Sequence, residues 1–376
     1  MKQQNLCPGR LLRAVLPLVL TALLLLFSSR MAPEPIGADH DAVYVRATVT
    51  QVLEDQSGGE AYRGGQKLLA RVTGGDLKGQ SCTLLNANTY QRGALCVPGT
   101  KVIALLNHVE GHLQGTVYNY DRTGMVVGLV VLFALTLLLV GGKKGGEALY
   151  ALAFTVICIL CVYIPTLCAG ANAMAAAVLT AVVTLVVSIY IMHGWSEKSL
   201  CAIVGTTIGV AVSGLLAMAV GNWSSLSGYS MEDVESMVYI ANNTRLQIHE
   251  LLYGGILISS LGAVMDVSVS VTAAVWEVHE KAPSLAAREL FRSGMRVGRD
   301  MMGTMSNTLI LAYTGSATGV LLTVYSYNMP FLQVMGYNSI IIEILSGLCG
   351  TIGVVLTVPV QAGITTAVLR RQGIKR

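Results

Sequence analysis

The sequence predicts an all-α transmembrane bundle of about eight helices, with both termini inside, and a small all-β extracytoplasmic domain. Of its 376 residues, 53% are hydrophobic and only 12% are charged, about half the charged fraction of ordinary soluble domains. The apolar residues also form blocks of about 20, the length that crosses the core of a bilayer. A single long polar segment, residues 40–122, separates the first block from the rest.

Residues 1–30 contain the first apolar block, roughly Leu11 to Phe27, with the basic residues Lys2, Arg10 and Arg13 before it or at its start. Such a block is typical of a signal anchor or of a cleavable signal peptide. The absence of a small-x-small cleavage site directly after it favours the anchor helix.

Residues 40–122 form the predicted extracytoplasmic domain, in which Gly-rich turns separate five runs of strand-forming residues. The predicted strands are Tyr44–Leu53, Lys67–Val72, Gln80–Leu85, Lys101–Leu106 and His112–Val117. Five short strands indicate an OB-like barrel or a small sandwich, which either binds a ligand or is a folded spacer. Cys82 and Cys96 lie in this domain, and the sequence leaves open whether they form a disulfide.

Residues 123–376 form the predicted seven-helix transmembrane domain. The predicted helices are 123–141, 147–168, 171–192, 200–220, 251–275, 304–325 and 339–366. With the N-terminus inside, almost all Lys and Arg residues of the short loops fall on the inner side, as the positive-inside rule requires. We therefore expect a multi-pass protein of the cell membrane, with residues 40–122 outside.

An Arg-rich segment at residues 284–300 lies on the predicted inner side. Its arginines recur at helical spacing, namely Arg288, Arg292, Arg296 and Arg299. The spacing predicts an interfacial helix whose arginines contact lipid phosphates of the inner leaflet. An ordinary basic inner loop that happens to be helical is the alternative.

Asp266 is the main candidate for a functional residue, because it lies well inside the sixth predicted helix. An ionisable side chain at the bilayer centre costs roughly 2.5–3.5 kcal/mol on insertion scales, so it needs a structural or functional reason. Ser259, Gly262 and Ser270 share the helix face of Asp266. This small, polar face suits a helix interface or a water-filled path.

The seventh and eighth predicted helices carry polar residues at a similar depth. Asn307 and Thr308 enter the seventh helix from its inner end, and Gln361 follows Pro359 in the eighth. Together with Asp266, these groups predict a site for a small cation, a proton or a polar solute.

Glu343 is a second acid, about one turn inside the outer end of the eighth predicted helix. It is either a glutamate that reaches the membrane interface or a gate residue of the solute pathway.

No motif for nucleotide binding, zinc proteolysis or a serine nucleophile occurs in the chain. An intramembrane aspartyl protease would need a second membrane aspartate facing Asp266, and the predicted helices contain none. We therefore predict no enzyme activity, no cofactor, no metal site and no nucleic-acid partner.

Three stretches resemble the YibE/F-like family of membrane proteins. They are Gly262–Ser270, Gly303–Tyr313, and the segment from Glu343 through Gly350-Thr-Ile-Gly-Val354 to Pro359. The resemblance covers most of the chain and departs from the family where Glu343 lacks a basic residue soon after it. It implies a multi-pass membrane fold without a settled activity. It also implies a heteromer with a shorter family member that lacks the external domain.

Two functions fit these observations. The leading hypothesis is a permease or channel-like transporter of a small ion or polar solute through a site around Asp266. The alternative is a non-transporting scaffold in the lipid bilayer, whose external domain docks an envelope or secretory partner.

Overall fold

The computed structural model describes residues 19–24, 26, 43–56, 64–88, 94–109 and 112–375. Residues 19–24 and 26 are helical, and the rest of the predicted anchor at 1–30 lies outside the described residues. Contacts divide the chain into two units, of which one is Pro35–Leu139 and the other combines Met1–Glu34 with Val140–Arg376.

A closed five-stranded barrel forms most of the Pro35–Leu139 unit. Its strands are β1 (Val43–Asp55), β2 (Gly64–Val72), β3 (Ser81–Asn88), β4 (Lys101–Val109) and β5 (His112–Tyr120). Their order is β1-β2-β3-β5-β4, with β1 paired to β4 and β3 parallel to β5. Alternate side chains such as Val45, Ala47 and Val49 are buried, because successive side chains of a strand point to opposite faces. The five predicted strands are confirmed, with bounds that differ by at most about three residues.

One end of the barrel interior is polar. Gln66 and Asn86 are almost fully buried, and the Asn86 Nδ2 group donates a hydrogen bond to Gln66 Oε1 at 2.9 Å. Cys82 and Cys96 are both free and buried, so no disulfide joins them. Burial raises the pKa of the Cys96 thiol to about 11 and also raises that of Cys82. Both thiols are therefore protonated at neutral pH and pack as small side chains.

Asp121 lies at the junction between the barrel and the first long helix. Its Oδ1 accepts a hydrogen bond from the Thr123 backbone N–H at 3.0 Å, and its Oδ2 lies 3.6 Å from Arg46 Nε. The hydrogen bonds from Thr123, followed by the charge of Arg46, hold the pKa of Asp121 below its ordinary value. The Asp121 carboxylate thus has both a hydrogen-bond donor and a positively charged partner.

Ten α-helices follow the barrel in the described part of the chain. They are α1 (Thr123–Cys158), α2 (Ile164–Cys168), α3 (Ala173–His193), α4 (Glu197–Trp223), α5 (Val234–Asn243), α6 (Leu251–Lys281), α7 (Ala287–Ser316), α8 (Thr318–Ser326), α9 (Phe331–Met335) and α10 (Asn338–Lys375). Among the described residues, five helical stretches are long and apolar enough to cross a membrane, and the α7–α8 pair makes six if it is one span.

α1 continues into α2 through a π-helical turn at Ile159–Tyr163. Inside α1, Gly142 has φ 54° and ψ −128°, a non-helical conformation that breaks the helix. The helices predicted at 123–141 and 147–168 are therefore two parts of one helical stretch, divided at a glycine and not by a loop.

The helix predicted at 304–325 is wrong as a continuous element. α7 ends at Ser316 and α8 begins at Thr318, and their axes are bent by 62°. The Ser316 hydroxyl donates to the carbonyl of Tyr313, and the Thr318 hydroxyl donates to that of Gly315, both at 2.8 Å. These hydroxyls satisfy carbonyls at the end of α7 where the helix stops.

Two more boundaries differ from the predictions. Residues 284–300 are not a separate interfacial helix, because α7 runs from Ala287 through this segment into the apolar part. The last predicted helix, 339–366, extends to Lys375 and includes Pro359.

Candidate functional site

α6 carries polar residues on two different faces. One face packs into the core of the helical unit and includes Ser268 and Thr272, neither of which is exposed. The other face is exposed and carries Ser259, Gly262 and Asp266, while Ser270 is half-buried beside it. Asp266 forms no hydrogen bond or ion pair among the described residues.

α7 brings Asn307 and Thr308 to the depth of Asp266. The Ser259 hydroxyl lies 2.7 Å from the Tyr313 hydroxyl, which fixes the register between α6 and α7. Asp266 is two turns after Ser259 on α6. Because α7 runs antiparallel to α6, the residue of α7 at the level of Asp266 is near 306. Asn307 and Thr308 are both exposed, and neither forms a side-chain hydrogen bond to Asp266. The three side chains share a depth, and no hydrogen bond joins Asp266 to the other two.

Gln361 does not join this group. Its Nε2 lies within hydrogen-bond distance of three acceptors, the Cys201 carbonyl at 3.1 Å, Thr365 Oγ1 at 3.2 Å and Thr272 Oγ1. Thr272 is six residues after Asp266, which places it on the opposite side of α6. Gln361 therefore belongs to a separate, fully buried network between α4, α6 and α10.

Small residues of α4 make room for that network. A Cβ atom at Gly205 would overlap Gln361 Oε1, and one at Gly209 would overlap Thr357 Oγ1. The Gly205-x-x-x-Gly209 motif thus brings α4 close to α10, the ordinary role of such a motif in membranes.

Sequence reasoning missed a row of hydroxyl groups on α3. Thr180, Thr184 and Ser188 are spaced by four residues and are each at most 4% exposed. Leu185 of α3 and Met265 of α6 line one cavity, so Thr184 lies near the depth of Asp266. The repeat of Thr, Thr and Ser at helical spacing was visible in the sequence, but hydroxyls in membrane helices usually bond their own backbone.

These α3 hydroxyls line a cavity of about 280 Å³ between α1, α3 and α6. Thr155 of α1 and Gly262 of α6 also line it, as does Met265, which directly precedes Asp266. The cavity therefore reaches the turn of α6 that carries the acid.

Glu343 lies at the break between α7 and α8. Its Oε1 is 3.4 Å from the Ser316 hydroxyl. It lines two cavities, one of about 240 Å³ with Tyr313 and one of about 220 Å³ with Glu232. Glu343 is distant from Asp266, because it lies near the start of α10 and level with the first turn of α6.

The four arginines of α7 are all exposed, whereas Leu290, Gly294 and Gly298 on the opposite face are buried. Gly294 packs on Val275 and Ala362, so this Arg-bearing part of α7 runs beside α6 and α10. The arginine face is Arg288, Arg292, Arg296 and Arg299.

The fold and these faces define a class of protein. Several helices long and apolar enough to cross a membrane make this a multi-pass membrane protein. The chain belongs to the YibE/F-like family, because the model described as YibE/F-like protein matches residues 129–371, well over half of the chain. The family resemblance of the sequence motifs is thereby confirmed. No curated protein and no solved structure matches the chain.

Proposed function

We propose that this protein is a permease or channel-like transporter that moves a small ion or polar solute past Asp266. The observation that carries the proposal is the exposed, unpartnered carboxylate at mid-depth in α6. A purely structural polar group in a membrane is expected to be buried and hydrogen-bonded, as Gln361 is. Asp266 is instead exposed and without a partner among the described residues, and we infer that an ion, a solute or water occupies the space beside it.

Groups on both sides of Asp266 extend this space. α7 contributes the amide of Asn307 and the hydroxyl of Thr308, and α3 contributes the hydroxyl of Thr184 at a similar depth. Towards the outer end, the break between α7 and α8 lies beside Glu343. Broken helices of this kind form ion and substrate sites in many transporters, so we place the outer gate at Glu343.

The proposed topology has eight crossings, with both termini inside and residues 40–122 outside the cell membrane. The helical stretch Thr123–Cys168 has 46 residues, about 69 Å of helix, which is twice the thickness of the hydrocarbon core. The break at Gly142 divides it into two spans. The basic residues Lys143 and Lys144 then lie at the inner turn between them.

The exposed polar face of α7 supports the proposal that a partner protein covers it. Thr304, Asn307 and Thr308 are exposed in the isolated chain and are poor neighbours for lipid. We propose that a shorter family member without the barrel covers this face. We also propose that the arginine face, Arg288, Arg292, Arg296 and Arg299, contacts phosphates of the inner leaflet.

Flux into proteoliposomes tests the transport proposal. We expect Asp266→Asn to reduce the flux of the transported ion or solute by about a hundredfold, because it removes the charge that binds it. Asn307→Ala should reduce flux less. Asp76→Asn, at an exposed turn of the barrel, is the control that should leave flux unchanged. Wild-type flux in both site variants would contradict the proposal.

A docking role for the barrel is the second candidate. Tyr44 and Tyr118 are 61% and 47% exposed, and their rings form an edge-to-face pair at 5.5 Å. Exposed aromatic pairs are typical of protein-binding surfaces. If Tyr44→Ser with Tyr118→Ser abolished the cellular phenotype while flux stayed intact, the scaffold role would replace transport.

A further inference from the structure

We infer that the break between α7 and α8 binds the primary ammonium group of a small amphiphile, with the charged end at Glu343 and the apolar body against α8. The inference goes beyond the transport proposal, because it concerns a second site and requires no movement of a solute past Asp266. It is carried by two cavities of different character that share the side chain of Glu343.

The first cavity is apolar and suits the body of the ligand. Its volume is about 240 Å³, several times that of a water molecule. Besides Glu343, Tyr313, Thr314 and Gly347, its walls are aliphatic side chains, namely Ile310, Ala317, Leu321, Ile340, Ile344 and Leu348. Such a space is filled by an apolar group rather than by a hydrated ion.

The second cavity is more polar and suits the charged end of the ligand. Its volume is about 220 Å³, and four of its lining side chains carry oxygen atoms, namely Glu232, Ser316, Ser339 and Glu343. The Ser316 hydroxyl lies 3.4 Å from Glu343 Oε1. Because Ala317 and Glu343 line both cavities, the two spaces meet at these residues, and one ligand can occupy both.

The two carboxylates of the polar cavity lack a positively charged partner. Neither Glu232 nor Glu343 forms an ion pair with another described residue. No Lys or Arg occurs in residues 301–366, which contain α8, α9 and most of α10. A cation between the two carboxylates would offset the repulsion of their like charges. The charge of the cavity therefore selects a positively charged ligand.

An organic ammonium group fits the site better than a metal ion. Its N–H donors match the carboxylate and hydroxyl oxygens of the polar cavity. In the described part of the chain, no group of three or more His, Cys, Asp or Glu residues could hold a metal ion. A metal ion would also leave the adjoining apolar cavity unused, whereas an alkyl chain fills it.

The apolar cavity continues along an exposed face of α8. Leu321 lines the cavity, and Tyr325, one turn later, lies on the same face of the helix. Tyr325 is 84% exposed, so this face offers apolar surface to a chain that leaves the cavity. Both a free alkylamine and the headgroup of an aminolipid have the chemistry that the site requires.

Calorimetric titration of the full chain in phosphatidylcholine nanodiscs tests the inference, with n-butylammonium as the probe and empty nanodiscs as the blank. We expect saturable binding that Glu343→Gln weakens by at least about tenfold, because it removes a charged acceptor. Glu232→Gln should weaken binding by about threefold, since Glu232 lines only the polar cavity. Thr314→Phe, at an exposed position of the apolar cavity, should abolish binding by filling the space.

Two matched controls exclude general effects of these substitutions. Glu235→Gln removes an exposed acid of α5, and Thr136→Phe adds a ring at an exposed position of α1. Neither residue lines the two cavities, so both variants should bind butylammonium as the wild type does. Thermal midpoints show whether each variant is folded. If Glu343→Gln does not fold, Glu232→Gln, at an exposed position, decides the question.

The same titration in nanodiscs that contain phosphatidylethanolamine distinguishes the two sources of the ammonium group. Loss of butylammonium binding there would mean that the lipid headgroup occupies the site. Unchanged binding would mean that the ligand is a free amine.

The other outcomes overturn the inference. Equal binding of n-butanol, unaffected by Glu343→Gln, would make the site one for neutral apolar molecules. Binding of sodium or calcium that Glu343→Gln removes, without binding of butylammonium, would make it a site for inorganic cations. Absence of binding by every probe would also overturn it. None of these outcomes decides the transport proposal, which the flux of Asp266→Asn judges by itself.

Discussion

Gln361 and Asp266 are two polar side chains at neighbouring depths of one helix bundle, and their surroundings are opposite. Gln361 is fully buried, and its Nε2 lies within hydrogen-bond distance of three acceptors, while Gly205 packs on its amide oxygen, which has no hydrogen-bond partner among the described residues. Asp266 is exposed and has no partner among the described residues. Gln361 therefore joins neighbouring helices, whereas Asp266 has no structural partner to offset the cost of a carboxylate in a helix that is apolar enough to cross a membrane. Substitutions on the two sides of α6 should separate these roles.

The largest effect is expected for Gly205→Leu, on the Gln361 side. A side chain at Gly205 would overlap Gln361 and push α4 away from α10, at a cost of about 3 kcal/mol. Gly262→Leu is the matched control, because its side chain would enter open space. Thermal midpoints in detergent should fall sharply for the first variant and little for the second. Similar losses in both would contradict the contrast between the two faces.

Asp266→Leu should have an effect of opposite sign on stability. Removing an unpaired carboxylate from the apolar region should stabilise the folded protein by up to about 2.5 kcal/mol. Equilibrium unfolding in mixed micelles measures this change, and the same sample should show no flux. A destabilised Asp266→Leu protein would mean that Asp266 has structural partners.

Gln361→Leu should destabilise the protein by about 1 kcal/mol, since it removes side-chain hydrogen bonds between α10 and its neighbours. Flux per folded molecule should stay the same. Gln333→Leu, at an exposed position of α9, is the control for the substitution itself. A loss of flux in Gln361→Leu beyond its loss of folded protein would place Gln361 in the pathway.

The smallest effect is expected at Asp121, an acid that has partners outside the spanning helices. Its pKa in the folded protein is lowered, chiefly by the hydrogen bonds from Thr123. The ionised form therefore stabilises the fold at pH values above the ordinary Asp pKa of about 4, and this stability is lost as pH falls through the lowered value. Wild type should exceed Asp121→Asn in thermal midpoint at pH 7, and the difference should shrink below about pH 4. A difference that does not depend on pH would contradict the role of the charge.

The positions of the barrel strands and the level of Asn307 relative to Asp266 could be predicted from the sequence. Alternation of apolar side chains in Val45, Ala47 and Val49 and the Gly-rich turns are local signals that no distant contact alters. The depth of Asn307 relative to Asp266 follows from counting residues inward along two antiparallel helices, and the Ser259–Tyr313 contact agrees with that count.

The break at Ala317 and the role of Gln361 could not be predicted in this way. Residues around Ala317 read as a continuous apolar helix, and only the hydroxyl–carbonyl hydrogen bonds of Ser316 and Thr318 mark its end. From the sequence, Gln361 and Asp266 could not be distinguished, because both are polar residues well inside long apolar helices. Depth fixes the level of a side chain on its helix but not the direction in which it points.

The sequence by itself determined the membrane class, the family, the five strands and the polar residues near the middle of long apolar helices, because composition, periodicity and motif spacing are properties of the chain. Only the tertiary structure decided which of those residues are buried among hydrogen-bond partners and which are exposed. That outcome depends on how each helix is rotated against its neighbours. The rotation is set by close contacts such as that between Gly205 and Gln361, which join residues far apart in the chain.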